Sequence, residues 1–140
     1  MQIKIKKLHP EATLPTYGRA GDAGMDLYAV EEARVVPGET AHIKTGLSFE
    51  LPEGYAGLVW DKSGLSFKHG IKVIGGVLDS NYRGELILGV INLGKEAYTF
   101  EKGHKVSQML IQKIERAEFI EADELSDTVR GEQGFGSSGK

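Results

Sequence analysis

The clearest candidate for chemistry in this sequence is a carboxylate at a turn, Asp79. It lies in the run 76–84, Gly-Val-Leu-Asp-Ser-Asn-Tyr-Arg-Gly, which is followed by the largely apolar stretch 86–91. Because Asp, Ser and Asn bond their own backbone, an apolar arm, a polar turn and a second apolar arm predict a β-hairpin. The ring of Tyr82 would lie near its mouth, and the flanking glycines let backbone approach a ligand closely. The run predicts a narrow cleft with a carboxylate at its entrance. An Asp in a turn is, by itself, more often only a turn residue.

A second candidate is an anion site at the segment Lys62-Ser63-Gly64. Residues 61–70 interrupt the strand pattern and predict one short helix, capped by Asp61 or Ser63 and stopped by Gly70. Free N–H groups and partial positive charge meet at a helix N-terminus, so Lys, Ser and Gly there suit an anion. The alternative is an ordinary cap beside a solvated lysine.

Two polar residues stand inside apolar strand patterns. Asp26 lies between Met25 and Leu27, and Gln108 lies among the apolar residues of the predicted strand 105–114. A buried charge needs a partner or a metal, and a buried amide needs hydrogen-bond partners. Asp26 is therefore either a paired or metal-linked group or a surface carboxylate, and Gln108 is either a cross-strand link or a ligand contact.

The C-terminal residues 130–140 mix glycines and hydroxyls with one arginine and one aromatic residue. Matches to the dinucleotide-binding and P-loop patterns occur here, but both patterns need a following helix, so we reject both. A Gly/Ser tail is by default a frayed end. Phe135 argues for a lid instead, because its ring could stack on a ligand while Arg130 meets phosphate.

The elements that must position these residues are predicted to be almost all strands. Alternating apolar residues mark strands at the N-terminus (Ile3 and Ile5), at 41–51, at 55–60 and at 105–114, with turns at Pro37-Gly38 and at 52–54. Turn signals recur at the short spacing of an all-β sandwich or barrel. Residues 115–127 are acidic and predict a connector. We expect one β domain over residues 1–128 and a flexible arm over 129–140.

Composition narrows the class of protein further. The chain has 140 residues, 40% of them hydrophobic, no cysteine and a net charge of −3. It suits one domain without disulfides or thiolate metal sites. The mixed charge argues against binding a nucleic acid polymer, and no apolar run is long enough for a membrane span or signal peptide. We expect a cytoplasmic protein that binds no membrane.

Taken together and in this order, these segments resemble the five motifs of the trimeric deoxyuridine triphosphate nucleotidohydrolases, the dUTPases. The resemblance covers nearly the whole chain. The motifs are Ala23-Gly24-Met25-Asp26-Leu27-Tyr28-Ala29, Lys62-Ser63-Gly64-Leu65, residues 76–84, Gly103-His104-Lys105-Val106-Ser107-Gln108, and residues 130–139. One such match would be weak, whereas five in sequence are strong.

The resemblance implies a jelly-roll-like β fold and a homotrimer with active sites at its subunit interfaces. It also implies hydrolysis of dUTP to dUMP and pyrophosphate with Mg²⁺, which limits uracil in DNA and supplies dUMP for thymidylate synthesis. Asp79 would activate the water that attacks the α-phosphorus. Tyr82 would pack on the deoxyribose and crowd out a 2′-hydroxyl, and Asp26 would help Mg²⁺ through a water.

The remaining site residues implied by the resemblance bind the base and the phosphates. The base would pair with the backbone of Gly76, Val77 and Leu78. The phosphates would be held by Lys62, Ser63, Gly64 and Gln108. A neighbouring subunit's tail would supply Arg130, Phe135, Gly136, Ser137 and Ser138.

The chain departs from the family pattern at three positions. Lys62 stands where the family usually has arginine, Asp61 where it has proline or a small residue, and His104 where it has aspartate. A lysine is a point charge without the two-pronged grip of a guanidinium. Loss of the arginine and the aspartate together would remove one ion pair of the family, which changes how phosphate is held.

Two other functions remain open. A dCTP deaminase shares the fold, but it lacks a tail like residues 130–139, and its deaminating glutamate has no counterpart beside the hairpin. The second open function is that of a non-catalytic trimeric β module that regulates a partner. The presence of Asp79, Tyr82 and Phe135 weighs against it.

Overall fold

A computed structural model describes residues 1–134. The strands in this part of the chain are β1 (Lys4–Lys7), β2 (Met25–Tyr28), β3 (Ala33–Val35), β4 (Thr40–Lys44), β5 (Leu47–Glu50), β6 (Tyr55–Asp61), β7 (Ile71–Ile74), β8 (Val77–Leu78), β9 (Ile87–Asn92), β10 (Tyr98–Phe100) and β11 (Lys105–Lys113). One short helix, α1 (Ser63–His69), lies between β6 and β7.

The strands form four antiparallel sheets. The largest has the order β2-β11-β6-β8, the next has the order β4-β9-β7, and β1-β5 and β3-β10 are two-stranded. Over the described residues the sheets do not close into a barrel. The all-β prediction with a single short helix is confirmed.

One hydrophobic core lies between the sheets and includes residues of all four. Its members with almost no exposed surface include Leu27, Ile43, Leu47, Leu88, Val90, Phe100 and Met109. Most buried polar groups beside this core have partners, as expected, whereas the buried hydroxyl of Ser107 has none within the described residues. The amide of Asn92, for example, donates to the carbonyls of Val35 (3.1 Å) and Glu96 (2.8 Å) and accepts from the N–H of Gly94 (2.8 Å).

The predicted strand 41–51 is two strands in different sheets. The break falls at Gly46, whose φ of 67° lies in the left-handed region. A Cβ on Gly46 would lie 2.9 Å from the Cβ atoms of Ala12 and His9, so the backbone turns where the N-terminal segment packs against it. Glycine is needed there for both reasons.

The predicted hairpin across Asp79 is wrong in its pairing. β9 pairs with β7, and Val90 lies opposite Val73. The short strand β8 instead pairs with β6, with Leu78 opposite Gly57. The Asp79 turn therefore connects two sheets, because Val77 and Leu78 leave the β7–β9 ladder for the neighbouring sheet.

The helix is confirmed at Ser63–His69, but its predicted cap is wrong. Lys62 is the N-cap residue, and no side chain caps the helix. The carboxylate of Asp61 is occupied elsewhere, by the N–H of Val73 and the ammonium of Lys72. Gly70 ends the helix in the left-handed conformation, at φ 69° and ψ 18°, as its sequence position predicts.

Residues 114–134 follow β11 without a helix or strand of their own. The apolar side chains of Phe119, Ile120 and Leu125 are more than four-fifths exposed. This agrees with the prediction of a connector over 115–127, while the closing of the arm over a site stays a prediction. No helix in the described part of the chain has the length and apolar character of a membrane span.

Candidate active site

The backbone of β8 forms one wall of a cleft because β8 is the edge strand of its sheet. The carbonyl of Gly76 accepts the N–H of Val59 at 2.7 Å and so points toward β6. Successive strand residues direct their backbone groups to opposite sides, so Val77 directs its N–H and C=O away from β6. An edge strand is able to pair with an added partner.

The turn that carries Asp79 is tied down by its own backbone and by one arginine. The N–H of Tyr82 donates to the carbonyl of Asp79 at 3.2 Å. The guanidinium of Arg83 donates to the carbonyls of Ser80 (2.6 Å) and Tyr82 (2.9 Å). The hydroxyl of Ser48 donates to the carbonyl of Arg83 at 2.7 Å, which ties the turn to β5. These bonds hold the backbone while the carboxylate of Asp79 remains exposed.

Tyr82 lies over Gly84 and beside Asp79. Its hydroxyl donates to the carbonyl of Glu85 at 3.1 Å, and a Cβ on Gly84 would lie 2.2 Å from that hydroxyl. A side chain at position 84 would therefore displace the ring of Tyr82 from this position. The cleft in front has a volume of about 220 Å³ and is lined by Gly75, Val77, Leu78, Asp79, Tyr82, Glu85, Leu86 and Ile87. We call this region the Asp79 cleft. The side chains of Asp79 and Tyr82 both line it.

A buried carboxylate with two lysines forms a second polar centre. Asp26 is 4% exposed, and its two oxygens accept the ammonium groups of Lys62 (2.5 Å) and Lys105 (2.7 Å). Gln108 of β11 lies directly opposite Asp26 of β2. We call these four residues the Asp26 cluster. The sequence predicted that a buried Asp26 needs a partner. In the structure its partners are two lysines.

Opposing effects act on the pKa of Asp26. Burial raises this pKa. Hydrogen bonds from Lys105 and Lys62 and the charges of both lysines lower it by more than burial raises it, so the pKa lies below its ordinary value. The hydrogen bond to Asp26 and its charge raise the pKa of Lys105. The cluster is therefore an ionised carboxylate between two ammonium groups and carries a net positive charge.

The amide of Gln108 links two strands and borders a wide cleft. Its Nε2 donates to the carbonyl of Asp61 at 2.8 Å. A Cβ on Gly24 would lie 2.5 Å from its Oε1, so glycine at position 24 leaves room for the amide. The cleft, about 510 Å³ in volume, is lined by Asp22, Ala23, Gly24, Trp60, Asp61, Gln108 and Leu110. Of the two sequence-based interpretations of Gln108, the cross-strand link is present. The second N–H of the Gln108 amide has no partner among the described residues and is available for a ligand.

Ser63 and Gly64 begin the helix next to the cluster and are exposed. The N–H groups of Leu65 and Ser66 donate to the carbonyl of Lys62 at 3.0 Å and 2.9 Å. The N–H groups of the first helical residues have no intrahelical partner. Their binding of an anion together with Lys62 stays a prediction.

The two clefts are lined by different residues. In the part of the chain that the structure describes, the Asp79 cleft and the cleft at Gln108 have no lining residue in common. Arg130 is exposed, and its Nε donates to the nearby carbonyl of Gln133 at 2.8 Å. The predicted ligand residues Phe135, Gly136, Ser137 and Ser138 lie outside the described residues.

The structure also shows the partners of Lys62 and His104, the residues at two of the positions that depart from the family pattern. Lys62 pairs with Asp26, and His104 lies 3.3 Å from the carboxylate of Glu101. The two residues therefore have different partners. Lys105, in the Asp26 cluster, and Trp60, which lines the Gln108 cleft, are candidate site residues that the sequence-based list missed. The position of Lys105 in the fourth motif was a signal for it, whereas nothing in the sequence indicated that Trp60 is exposed on β6.

Comparison with known proteins agrees with this geometry. The family model for dUTPase matches residues 10–139. The deoxyuridine 5′-triphosphate nucleotidohydrolase of Nautilia profundicola is 46% identical over 142 residues, which span 100% of both chains. The dUTPase of Staphylococcus bacteriophage 80alpha, solved with dUPNHPP, has a TM-score of 0.93 at 30% identity and covers 99% of each chain.

A dUTPase mutant from phage phi11 of S. aureus shows the coordination of a structural Mg(II) ion. It has a TM-score of 0.82 at 25% identity, covering 89% of this chain and 98% of that one. The fold and the two clefts define an all-β protein of the jelly-roll class. The extent of the family match identifies it further: the chain belongs to the dUTPase family.

Proposed function

We propose that this protein hydrolyses dUTP to dUMP and pyrophosphate by attack of water on the α-phosphorus. The observation that carries the proposal is the Asp79 cleft, where an exposed carboxylate, the ring of Tyr82 and the free edge of β8 meet. Asp79 accepts the proton of the attacking water as a general base. Phosphoryl transfer depends mainly on positioning and charge neutralisation, so a single carboxylate suffices beside a bound triphosphate.

Base recognition is assigned to the edge of β8. Uracil presents two carbonyl acceptors flanking one N–H donor. The N–H and C=O of Val77 supply one donor and one acceptor for that pattern, between Gly76 and Leu78, which face β6. Cytosine reverses part of the pattern and would leave backbone groups unpaired, which is strongly unfavourable in a closed site. Tyr82 packs on the deoxyribose and leaves no room for a 2′-hydroxyl.

Phosphate binding is assigned to the Asp26 cluster and the start of α1. Lys62 supplies positive charge, Ser63 and Gly64 supply free N–H groups, and Gln108 supplies one N–H. Asp26 orients Lys62 by an ion pair at 2.5 Å. The tail residues Arg130, Phe135, Gly136, Ser137 and Ser138 close over the substrate, the ring stacking on the base and the arginine meeting phosphate.

The protein residues fit a Mg²⁺ ion that is held mainly by the substrate. Within residues 1–134 there is no group of three or more His, Asp or Glu side chains placed to hold a metal. Mg²⁺ keeps several waters and binds through substrate phosphates in such sites. Both oxygens of Asp26 accept a lysine, and a carboxylate has further lone pairs for a metal-bound water. When bound, the ion neutralises charge on the triphosphate.

We further propose a homotrimer whose active sites lie at subunit interfaces. The support is that, within the described residues, the Asp79 cleft and the Gln108 cleft share no lining residue on one chain, whereas one dUTP has to contact both. A closed ring of three copies brings the Asp79 cleft of one subunit to the Asp26 cluster of the next. We place the enzyme in the cytoplasm, where it limits uracil in DNA and supplies dUMP.

Pyrophosphate release measured side by side with dUTP, dCTP and UTP tests this function. We expect dUTP to be hydrolysed with a kcat/KM at least about a hundredfold above that of dCTP, because unpaired site groups penalise the wrong base, and up to about a hundredfold above that of UTP, because Tyr82 leaves no room for a 2′-hydroxyl. Ammonia release from dCTP would instead indicate a deaminase. Binding of dUTP without turnover by a folded protein would indicate the non-catalytic module.

A further inference from the structure

Asp61 is the last residue of β6 and forms the corner that leads into α1. The next residue, Lys62, is the N-cap of the helix, and no side chain caps it. An uncapped N-terminus lacks the bond that usually fixes the entry of the chain into a helix. Something else must therefore hold this corner in place.

The hydrogen bonds of Asp61 join two different sheets at this corner. Its Oδ1 accepts the N–H of Val73 at 2.6 Å, and its Oδ2 accepts the ammonium of Lys72 at 2.7 Å, both from β7. Its backbone carbonyl accepts Nε2 of Gln108 from β11 at 2.8 Å. The side chain of Asp61 is 18% exposed and that of Lys72 is 47% exposed, so the bond to Val73 is partly sheltered from water, whereas the ion pair is open to it.

We propose that Asp61 is a positioning residue for phosphate binding. It holds the backbone at the corner so that Lys62 faces the phosphates. Its carbonyl also fixes one N–H of Gln108, so the other points to the ligand. This inference rests on the proposed function, because it concerns the triphosphate half of the dUTP site.

The residue type at position 61 explains why hydrogen bonds are needed here. The family resemblance predicts proline or a small residue at this position, and a proline ring would fix φ without any partner. Asp61 has no such ring. Its carboxylate holds the same corner by binding the backbone N–H of Val73 and the charge of Lys72.

The test compares the affinity for a long ligand and a short one. The non-hydrolysable analogue dUpNHpp reaches all of the phosphate groups, whereas dUMP depends mainly on the Asp79 cleft. We expect Asp61→Ala to weaken dUpNHpp by about tenfold, or 1.4 kcal/mol, and dUMP by less than about twofold in calorimetry with Mg²⁺. A purely structural role would lower the active fraction and leave both dissociation constants unchanged.

Two further variants separate the bonds of Asp61. Asp61→Asn keeps an oxygen for the N–H of Val73 and should restore dUpNHpp affinity to within about threefold of wild type. Lys72→Met removes only the exposed ion pair and should cost less than about threefold. Asp61→Thr, which keeps strand propensity but offers one short oxygen, replaces the alanine variant if that variant does not fold.

The outcomes distinguish this inference from the proposed function. If wild type releases pyrophosphate from dUTP but Asp61→Ala loses less than about twofold in dUpNHpp affinity, the role of Asp61 is overturned alone. Equal weakening of dUpNHpp and dUMP also overturns it, because the effect would not be specific to the phosphates. A wild type that neither binds dUpNHpp nor hydrolyses dUTP overturns both.

Discussion

The two polar centres of this chain use the same residue type in opposite environments. Asp79 stands exposed on a turn, and no ion pair reaches it within residues 1–134. Asp26 is 4% exposed and has a lysine on each oxygen. The turn of Asp79 is held by backbone bonds and Arg83, whereas the Asp26 cluster is held by charge.

This difference fits the separate tasks of the two carboxylates. A general base needs an open lone pair and access to water, which the turn of Asp79 leaves free. A carboxylate that aligns cations works best when it is sheltered and fully paired, because ion pairs are screened less away from water. Changing one centre at a time should therefore give different kinds of loss, in turnover at Asp79 and in binding or stability at Asp26.

The largest expected effect is on turnover at the Asp79 cleft. Asp79→Asn keeps the shape of the side chain but cannot accept a proton, so we expect kcat to fall to below about one hundredth of wild type while dUTP still binds. Calorimetry and a turnover assay on one preparation measure both. The control is Asp123→Asn, an exposed carboxylate of the connector. Retention of more than about a tenth of kcat would mean that another residue activates the water.

Removal of residues 129–140 should have the next largest effect. The side chain of Val129 is fully exposed and packs on no core residue, so folding and trimerisation should persist. We expect kcat/KM to fall by about a hundredfold because the lid no longer excludes water from the site. A thermal melt and light scattering serve as controls. Full activity in the truncated protein would show that the tail is only a disordered end.

The lid also has a direct probe. Trp60 is the only tryptophan of the chain, so Phe135→Trp in a Trp60→Phe background places a single fluorophore on the tail. Its emission should change with dUpNHpp and much less with pyrophosphate, since ordering the tail needs base stacking as well as phosphate contacts. An unchanged emission with both ligands would remove the tail from the site.

Tyr82→Ala should alter selectivity more than rate. The ring lies over Gly84 at the Asp79 cleft, so its loss opens space for a 2′-hydroxyl. We expect the UTP to dUTP ratio of kcat/KM to rise by up to about a hundredfold, the usual limit for excluding a hydroxyl sterically. Competition assays measure the ratio. Tyr82→Phe is the matched control, since it keeps the ring, and an unchanged ratio in the alanine variant would make Tyr82 merely structural.

The smallest effect concerns stability at the Asp26 cluster. Asp26→Asn leaves Lys62 and Lys105 without their shared anion and should lower the free energy of unfolding by about 2 kcal/mol at neutral pH. Because the folded pKa of Asp26 lies below its ordinary value, this stabilisation is present above about pH 4 and is lost as pH falls further. The difference between variant and wild type should therefore shrink toward about pH 3 in urea titrations.

A matched variant tests whether burial causes this loss. Glu50→Gln removes an exposed ion pair with Lys4 and should change stability little at any pH. An equal loss in the two variants, or a loss at Asp26 that persists unchanged in acid, would contradict the paired and buried state of Asp26.

Much of the fold and the Asp79 cleft could be predicted from the sequence because the signals are local. Alternation indicated the strands near the N-terminus, over 41–51, at 55–60 and at 105–114, Gly70 marked the end of the helix, and the turn residues placed Asp79 and Tyr82 together. The short strands β3 and β10 were not predicted. The pairing of β8 could not be predicted, since a two-residue strand fits either neighbouring sheet. The break at Gly46 was missed because it depends on contact with Ala12 and His9, far away in sequence.

The Asp26 cluster was predicted only in part for a related reason. The apolar neighbours of Asp26 in the sequence indicated that its charge needs a partner. The identity of that partner depends on strand register. Lys62 follows β6 and Lys105 begins β11, and only the order β2-β11-β6 brings both to Asp26. The cap was assigned wrongly because Asp61 prefers Val73 and Lys72, which the sequence does not place nearby.

Subunit complementation tests the central claim that one active site joins the Asp79 cleft of one subunit to the Asp26 cluster of another. Asp79→Asn and the double variant Lys62→Met/Gln108→Ala are each prepared as nearly inactive homotrimers, then unfolded, mixed in equal amounts and refolded. If the halves come from different subunits, about a quarter of the sites combine two intact halves, and dUTP hydrolysis should recover to about a quarter of wild type. If each site lies within one subunit, every site keeps a defect, and a mixture as inactive as its parents would contradict the account.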